Sequence, residues 1–308
     1  MGKIAFVFPG QGAQYAGMGK DFCEQFRECL EVFLLAEQVT GLPVRELCFE
    51  ENERLNITEY TQIAMLTCEA AMLEAVKQTG LKPDVTAGLS LGEYGALLAS
   101  EVLSMEDAFR IVRKRGLYMQ EAVPEGGAMA AVLGMEAEEI DEILHGTDGT
   151  VSVANYNCPG QIVITGETEA VNRACALLKE AGAKRTVLLK VSGPFHSPLL
   201  QEAGERLWPV LTAAVIHDIR IPYVSNVTAD YVRDPSQVCT LLRQQVSSSV
   251  KWQQSVERMI ADGTDIFVEI GPGKTLSGFM RKIDRSVRTI SVEKTEDLEK
   301  IRKLISEE

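Results

Sequence analysis

Asp84-Val85-Thr86-Ala87-Gly88-Leu89-Ser90-Leu91-Gly92-Glu93-Tyr94-Gly95-Ala96-Leu97-Leu98-Ala99-Ser100 carries three signals in succession. Residues 84–87 read as a short strand, 88–92 as a turn, and 93–100 as a helix. The turn matches G-x-S-x-G and sits between strand and helix, the context in which that pattern has a mechanism. A tight strand-to-helix turn exposes the Ser90 hydroxyl, and the flanking glycines let the backbone bend sharply. The backbone N–H of Leu91 lies at a helix N-terminus and can face a developing oxyanion.

Upstream, 4–8 is an apolar strand ended by Pro9-Gly10, followed by helical patterns over 19–37 and 60–79. Downstream, a further helix is expected over 105–121. Strand-helix alternation of this kind implies a parallel sheet covered on both faces. The pattern changes after Val123-Pro124-Glu125-Gly126-Gly127. Strands are expected over 128–133, 150–155, 161–165 and 185–191, with helices over 137–145 and 167–181. That order, βαββαβ, is the ferredoxin-like arrangement. The α/β pattern then resumes, with strands at 221–224, 265–269 and 289–292 and a last amphipathic helix at 296–305. The expected architecture is α/β: a large domain of mostly parallel sheet, residues 1–126 and 196–308, interrupted by a ferredoxin-like subdomain at 127–195.

Composition narrows the function. The chain has 308 residues, 45% of them hydrophobic, and a net charge of −13. Such an acidic balance disfavours nucleic acid, whose phosphates need clustered cations. The only apolar run near the start is too short for a signal peptide, and no uninterrupted apolar run is long enough to span a membrane, so a cytoplasmic protein is expected. Seven cysteines without CxxC spacing argue against a disulfide framework or a zinc site. No His/Cys/Asp cluster has ligand spacing, so neither a metal nor a permanently bound cofactor is expected. The N-x-T triplets at Asn56 and Asn226 mean little without a secretion signal. Gly10-Gln11-Gly12 lacks the third glycine of a dinucleotide fingerprint, since Tyr15 stands there, and Gly273-Lys274-Thr275 lacks the first glycine of a P-loop.

A serine nucleophile needs a base, usually histidine, and there are three. His145 ends an acidic helix before a glycine, a common structural place. His217 lies in a strand approach. His196 stands in Gly193-Pro194-Phe195-His196-Ser197-Pro198, a proline-bracketed turn just after a strand, where catalytic side chains tend to be displayed.

Phe8-Pro9-Gly10-Gln11-Gly12-Ala13-Gln14, Gly88-Leu89-Ser90-Leu91-Gly92-Glu93 and Gly193-Pro194-Phe195-His196 closely resemble the acyltransferases of fatty acid and polyketide synthesis, in particular bacterial malonyl-CoA:acyl carrier protein transacylases. The resemblance continues through Arg115-Gly116, Val123-Pro124-Glu125-Gly126, Asn157-Cys158-Pro159-Gly160-Gln161 and Glu269-Ile270-Gly271-Pro272-Gly273-Lys274, in order along nearly the whole chain. It implies an α/β-hydrolase-like large domain with an inserted ferredoxin-like one. It implies transfer of malonyl from malonyl-CoA to an acyl carrier protein through a malonyl-serine intermediate, with coenzyme A thioester as substrate. By the same resemblance Ser90 is the nucleophile, His196 its base, and the backbone N–H groups of Gln11 and Leu91 the oxyanion hole. Arg115 would bind the malonyl carboxylate, Gln244 would orient His196 through a backbone carbonyl, and Gln62 would line the cavity. Leu89 departs from the histidine usual in the family, which bears on acyl preference or hydrolysis more than on reaction class.

An acidic carrier docking on an acidic enzyme needs a local basic patch, for which Lys184-Arg185 and Arg281-Lys282 are candidates. A monomer is expected. Two other classes stay open on sequence. One is an esterase or thioesterase, which would need an acid such as Asp141, Asp148 or Glu167 behind the histidine. The other is a silent carrier-binding scaffold, against which Ser90, His196 and Arg115 argue. Fatty acid and polyketide pathways are not distinguished.

Overall fold

The computed structural model describes residues 2–191 and 193–307. Among the described residues ten strands form two sheets. In chain order they are β1 (Lys3–Phe8), β2 (Val85–Gly88), β3 (Gly127–Leu133), β4 (Val151–Cys158), β5 (Gln161–Glu167), β6 (Arg185–Leu188), β7 (Tyr223–Val224), β8 (Tyr231–Val232), β9 (Thr264–Ile270) and β10 (Arg288–Val292). The larger sheet has the order β10-β9-β1-β2-β7-β8 and is parallel except for the β7–β8 edge pair.

The strand pattern explains why this sheet is central. Along β1, Ile4, Phe6 and Phe8 join one apolar cluster while Ala5 and Val7 join another, as a period of two requires for a strand buried on both faces. Helices Thr58–Lys77, Gly92–Ala99 and Met105–Ala122 contribute to the first cluster; Trp252–Ala261 and Thr275–Ile283 cover the second. None of the helices described is long and apolar enough to cross a membrane.

The second sheet, β4-β5-β3-β6, is antiparallel throughout, with helices Ala137–His145 and Thr168–Glu180 packed on one face around their own core. Its connectivity is the βαββαβ arrangement read from the sequence. It is tied back to the large unit through β4: Val250 N–H donates to Ala154 O at 2.8 Å, and Tyr156 N–H donates to Val250 O at 3.0 Å.

Boundaries differ from expectation in two informative places. The helix expected over 19–37 is two helices, Lys20–Gln25 and Arg27–Thr40, because Phe26 adopts an extended conformation and stands as N-cap of the second. No glycine or proline marks that break. The strand expected at 221–224 is only Tyr223–Val224, and residues just beyond it do the structural work described next.

Candidate active site

Three parallel strands, β1, β2 and β7, point their carboxyl ends at one crevice, where open α/β sheets place ligands. β1 runs out into Gly10 and Gln11, β2 into Leu89 and Ser90, and β7 into Ser225 and Asn226. The turn after β2 must be glycine at both flanks because of crowding. A Cβ on Gly88 would lie 1.9 Å from the Gly92 carbonyl, and one on Gly92 would lie 2.1 Å from Phe8 O. Between them Ser90 is held at φ 54°, left-handed backbone that a non-glycine residue occupies only when its surroundings enforce it.

Asn226 is part of that enforcement. Its Oδ1 accepts the Ser90 N–H at 2.6 Å and its Nδ2 donates to Gly88 O at 2.6 Å, so one buried side chain pins both ends of the bend. Sequence reasoning met Asn226 only as an N-x-T triplet.

His196 arrives from the segment after β6, also at positive φ, 60°. Its Nε2 lies 2.7 Å from Ser90 Oγ. Its Nδ1 is 2.9 Å from Gln245 O and 3.2 Å from Ser248 O. Both are carbonyls, which only accept, so Nδ1 carries the ring hydrogen and Nε2 presents its lone pair to the hydroxyl. Burial, reinforced by the nearby Arg115 charge, holds the imidazole down to about 4, so it is neutral at ordinary pH.

The carbonyl expected from Gln244 thus comes from Gln245. On the helix Val238–Gln245, the buried residues are Val238, Leu242 and Gln245, spaced four and three apart, and Gln244 falls on the exposed side. That apolar spacing was the signal that could have chosen between the two glutamines. The Ser248 carbonyl is positioned by the small sheet, since Ser249 Oγ donates to Val153 O at 2.6 Å and Val250 pairs with β4. The Asp141 and Glu167 carboxylates accept elsewhere, from Tyr156 Oη–H and Thr150 N–H, the Asp148 backbone carbonyl accepts from Arg173, and both His196 Nδ1 partners are carbonyls.

Arg115 falls on the buried stripe Ala108, Val112, Arg115, Met119 of its helix and is 1% exposed, whereas Arg110 and Arg113 pair with carboxylates near the surface. Its Nη1 donates to Gln62 Oε1 at 2.7 Å, and its Nη2 donates to Gln245 Oε1 at 3.0 Å and to Ser90 Oγ at 3.2 Å. Gln62 is therefore a support for the guanidinium as well as part of the wall. Gln245 joins the network twice more, donating through Nε2 to Ser90 O at 2.9 Å and to Glu93 Oε2 at 2.6 Å. Neither Gln245 nor Glu93 was singled out by sequence.

These groups open on a cavity of about 780 Å³ between the large unit and the small sheet. Gln11, Leu91, Met129, Phe195 and Leu89 are among its lining residues. The N–H groups of Gln11 and Leu91 have no hydrogen-bond partner among the described residues, and Leu91 is the N-cap of Gly92–Ala99. Leu89 lies against the Gly10 turn, its Cδ2 2.8 Å from where a Gly10 Cβ would stand, so this wall of the crevice is apolar. Lys190 borders the cavity, and Lys282 donates to Gln161 Oε1 of its wall at 3.1 Å. Among the described residues no His/Cys/Asp/Glu group could hold a metal, and all seven cysteines are free thiols.

The acyl transferase domain family matches residues 5–299. A malonyl CoA-acyl carrier protein transacylase of Bacillus subtilis (strain 168) is 46% identical over 313 aligned positions, covering 100% of this chain and 99% of the relative. The solved transacylase of the same name from Clostridium perfringens superposes with a TM-score of 0.95 at 44% identity, covering 99% of this chain and 98% of the other. A malonyl-transacylase solved in complex with its type II PKS acyl-carrier protein superposes with a TM-score of 0.95 at 36% identity, covering 98% and 99%. With sheet order, serine turn and full-length identity in agreement, the chain belongs to the acyl transferase family, within the group of malonyl CoA-acyl carrier protein transacylases.

Proposed function

We propose that this enzyme moves a malonyl group from malonyl-CoA to the phosphopantetheine thiol of an acyl carrier protein by way of a malonyl ester on Ser90. The observation that carries the reading is the double engagement of one hydroxyl. Ser90 Oγ lies within hydrogen-bond distance of a neutral imidazole nitrogen and of a buried guanidinium. The imidazole removes its proton, while the guanidinium holds a carboxylate next to the attacked carbonyl.

His196 Nε2 accepts the Ser90 proton as Oγ attacks the thioester, and returns it to the departing coenzyme A sulfur. The carrier thiol then gives its proton to the same nitrogen and attacks the malonyl ester; the Ser90 Oγ–acyl bond breaks and Oγ takes the proton back from Nε2, restoring the free enzyme. The N–H groups of Gln11 and Leu91 receive the oxyanion in both halves, each worth roughly a hundred- to a thousand-fold in rate. Arg115 distinguishes malonyl from acetyl, because its planar fork meets a carboxylate in two charge-assisted bonds. Lys190 and Lys282 at the cavity, with Lys184, Arg185 and Arg281, form the basic surface for an acidic carrier. The reaction takes place in the cytoplasm, on a monomer, without a bound metal or organic cofactor, and supplies malonyl units to fatty acid synthesis.

Incubation with malonyl-CoA in the absence of carrier, followed by peptide mass spectrometry, tests the covalent step. The Ser90 peptide should gain one malonyl group, and Ser90→Ala should gain none. A label on any other residue, or free malonate released at the transfer rate without carrier, refutes the reading.

A further inference from the structure

Arg115 is buried, yet among the described residues none of its hydrogen bonds goes to a carboxylate: its partners are the amide oxygens of Gln62 and Gln245 and the Ser90 hydroxyl. A desolvated cation held only by neutral dipoles is expensive unless a counter-charge lies close. Glu93, 0% exposed, provides one. Glu93 Oε2 accepts from Gln245 Nε2 at 2.6 Å while Gln245 Oε1 accepts from Arg115 at 3.0 Å, so one amide lies between anion and cation. The same Oε2 accepts the Asn226 N–H at 3.1 Å. This fixes the amide's orientation: facing Glu93 it has to present Nε2, and facing Arg115 it has to present Oε1.

We propose that Glu93 is the resting counter-charge of Arg115, acting through the Gln245 side chain, and that it takes up a proton from solvent when an acyl carboxylate pairs with Arg115. The proposal rests on the reading of Arg115 as the carboxylate clamp. In the empty site, Arg115 and ionised Glu93 sum to zero charge. A malonyl carboxylate adds a second anion to the same low-dielectric region, and protonation of Glu93 restores neutrality.

The geometry leaves room for that proton. Glu93 Oε1 has no partner among the described residues, so it can be protonated without breaking either bond at Oε2. Burial pushes the Glu93 carboxyl up to about 7, against the bonds from Gln245 and Asn226 and the charge of Arg115. The other titratable groups near it do not compete. Burial raises the Tyr94 and Tyr223 hydroxyls above their usual range, and His196 is held down to about 4. Raising pH through the Glu93 range therefore weakens binding of a carboxylated acyl group and leaves acetyl binding unaffected. Glu93 is a positioning residue for specificity, one step removed from the substrate.

The test is calorimetric titration of Ser90→Ala at pH 7.5 with malonyl-CoA and with acetyl-CoA, each in two buffers of different ionisation enthalpy. The shared phosphates cancel in the comparison. Malonyl-CoA should take up about half to one proton more than acetyl-CoA. Adding Glu93→Gln, which keeps the shape and an acceptor for both N–H groups, should abolish that difference and tighten malonyl-CoA several-fold at pH 8. Equal uptake for the two thioesters, or a difference that survives Glu93→Gln, overturns the proposal. Should malonyl-CoA bind no better than acetyl-CoA, the clamp reading itself fails; a retained preference without extra uptake removes only Glu93. If the Glu93 variant does not fold, the proton count with glutamate in place decides alone.

Discussion

Replacing Arg115 by methionine separates acyl selection from acyl transfer. Methionine keeps much of the unbranched stem and fills the buried stripe between Val112 and Met119, while the guanidinium and its three bonds, at 2.7, 3.0 and 3.2 Å, are removed. On the proposed route a malonyl carboxylate makes two charge-assisted bonds to this group, each worth about 1.5–3 kcal/mol. Their loss amounts to about 3–6 kcal/mol, or roughly a hundred- to ten-thousand-fold in kcat/KM for malonyl-CoA. Acetyl-CoA forfeits neither bond. The substitution does leave Gln62 Oε1 and Gln245 Oε1 without their donor, at about 1–3 kcal/mol of stability each, so melting temperature has to be measured alongside. Steady-state transfer with both thioesters is the assay. The ratio of malonyl to acetyl kcat/KM should collapse, with acetyl transfer unchanged or faster. A folded variant in which both substrates slow by the same factor would falsify the clamp and make Arg115 a support for Ser90 alone.

Other parts of the structure give expectations of their own. With His196 held down to about 4 in the free enzyme, kcat/KM for acetyl-CoA, whose acyl group brings no carboxylate to Arg115, should stay flat from about pH 5 to 8 and fall only toward pH 4 as the imidazole protonates; an acid limb near 6.5 would contradict the burial argument. Asn226→Ala removes the side chain that holds Ser90 N–H and Gly88 O, so kcat should fall about ten- to a hundred-fold with little change in KM, and a variant equal to wild type would show that the turn holds itself. Glu69 is fully buried with neither carboxyl oxygen partnered among the described residues, and burial holds its pKa well above the ordinary 4.5. The folded chain then binds this proton more tightly than the unfolded chain. Its effect is absent below the unfolded value and destabilising above it, by about 1.4 kcal/mol per pH unit until the folded group itself ionises. Glu69→Gln should raise the melting temperature more at pH 8 than at pH 5; equal shifts at both pH values would refute this.

The serine turn was legible because it depends on local crowding. Gly88 and Gly92 leave no room for a Cβ, and a strand before and a helix after complete the signal within a few residues. The βαββαβ unit was legible for a similar reason, its periods and breakers all lying within one continuous segment. What could not be read was chemistry assembled across the chain. Asn226 reaches Ser90 from 136 positions away and Gln245 reaches Ser90 O from 155, and neither spacing leaves a trace in sequence. The Gln244 expectation missed by one residue for a different reason: motif matching sets position along the chain, whereas helical phase sets which neighbour faces inward. Arg115 shows both effects together. Charge patterning alone made it one of four cations in a basic run, but its place on the stripe with Ala108, Val112 and Met119 is what buries it.

A histidine oriented by two carbonyls, with no carboxylate behind it among the described residues, suits the exchange proposed here. A carboxylate would stabilise the imidazolium and raise its pKa, which helps most when the leaving group is a poor one such as an amine. Coenzyme A leaves as a thiol, and an ordinary thiol pKa near 8.5 lies far below that of an amine or alcohol leaving group, while in the second half Ser90 Oγ leaves and takes back the proton that the attacking carrier thiol gave to His196. The imidazolium formed here, destabilised by burial and by Arg115, is a strong acid that hands its proton back readily to the sulfur. The same Arg115 charge that selects the acyl group thereby also sharpens the acid that releases the thiol. A carboxylate placed on Arg115 by the substrate offsets part of that depression, so the base is strengthened when malonyl is bound and stays weaker when acetyl occupies the site. On this argument discrimination extends beyond binding into the chemical step, because the charge that recognises malonyl also tunes the group that activates Ser90.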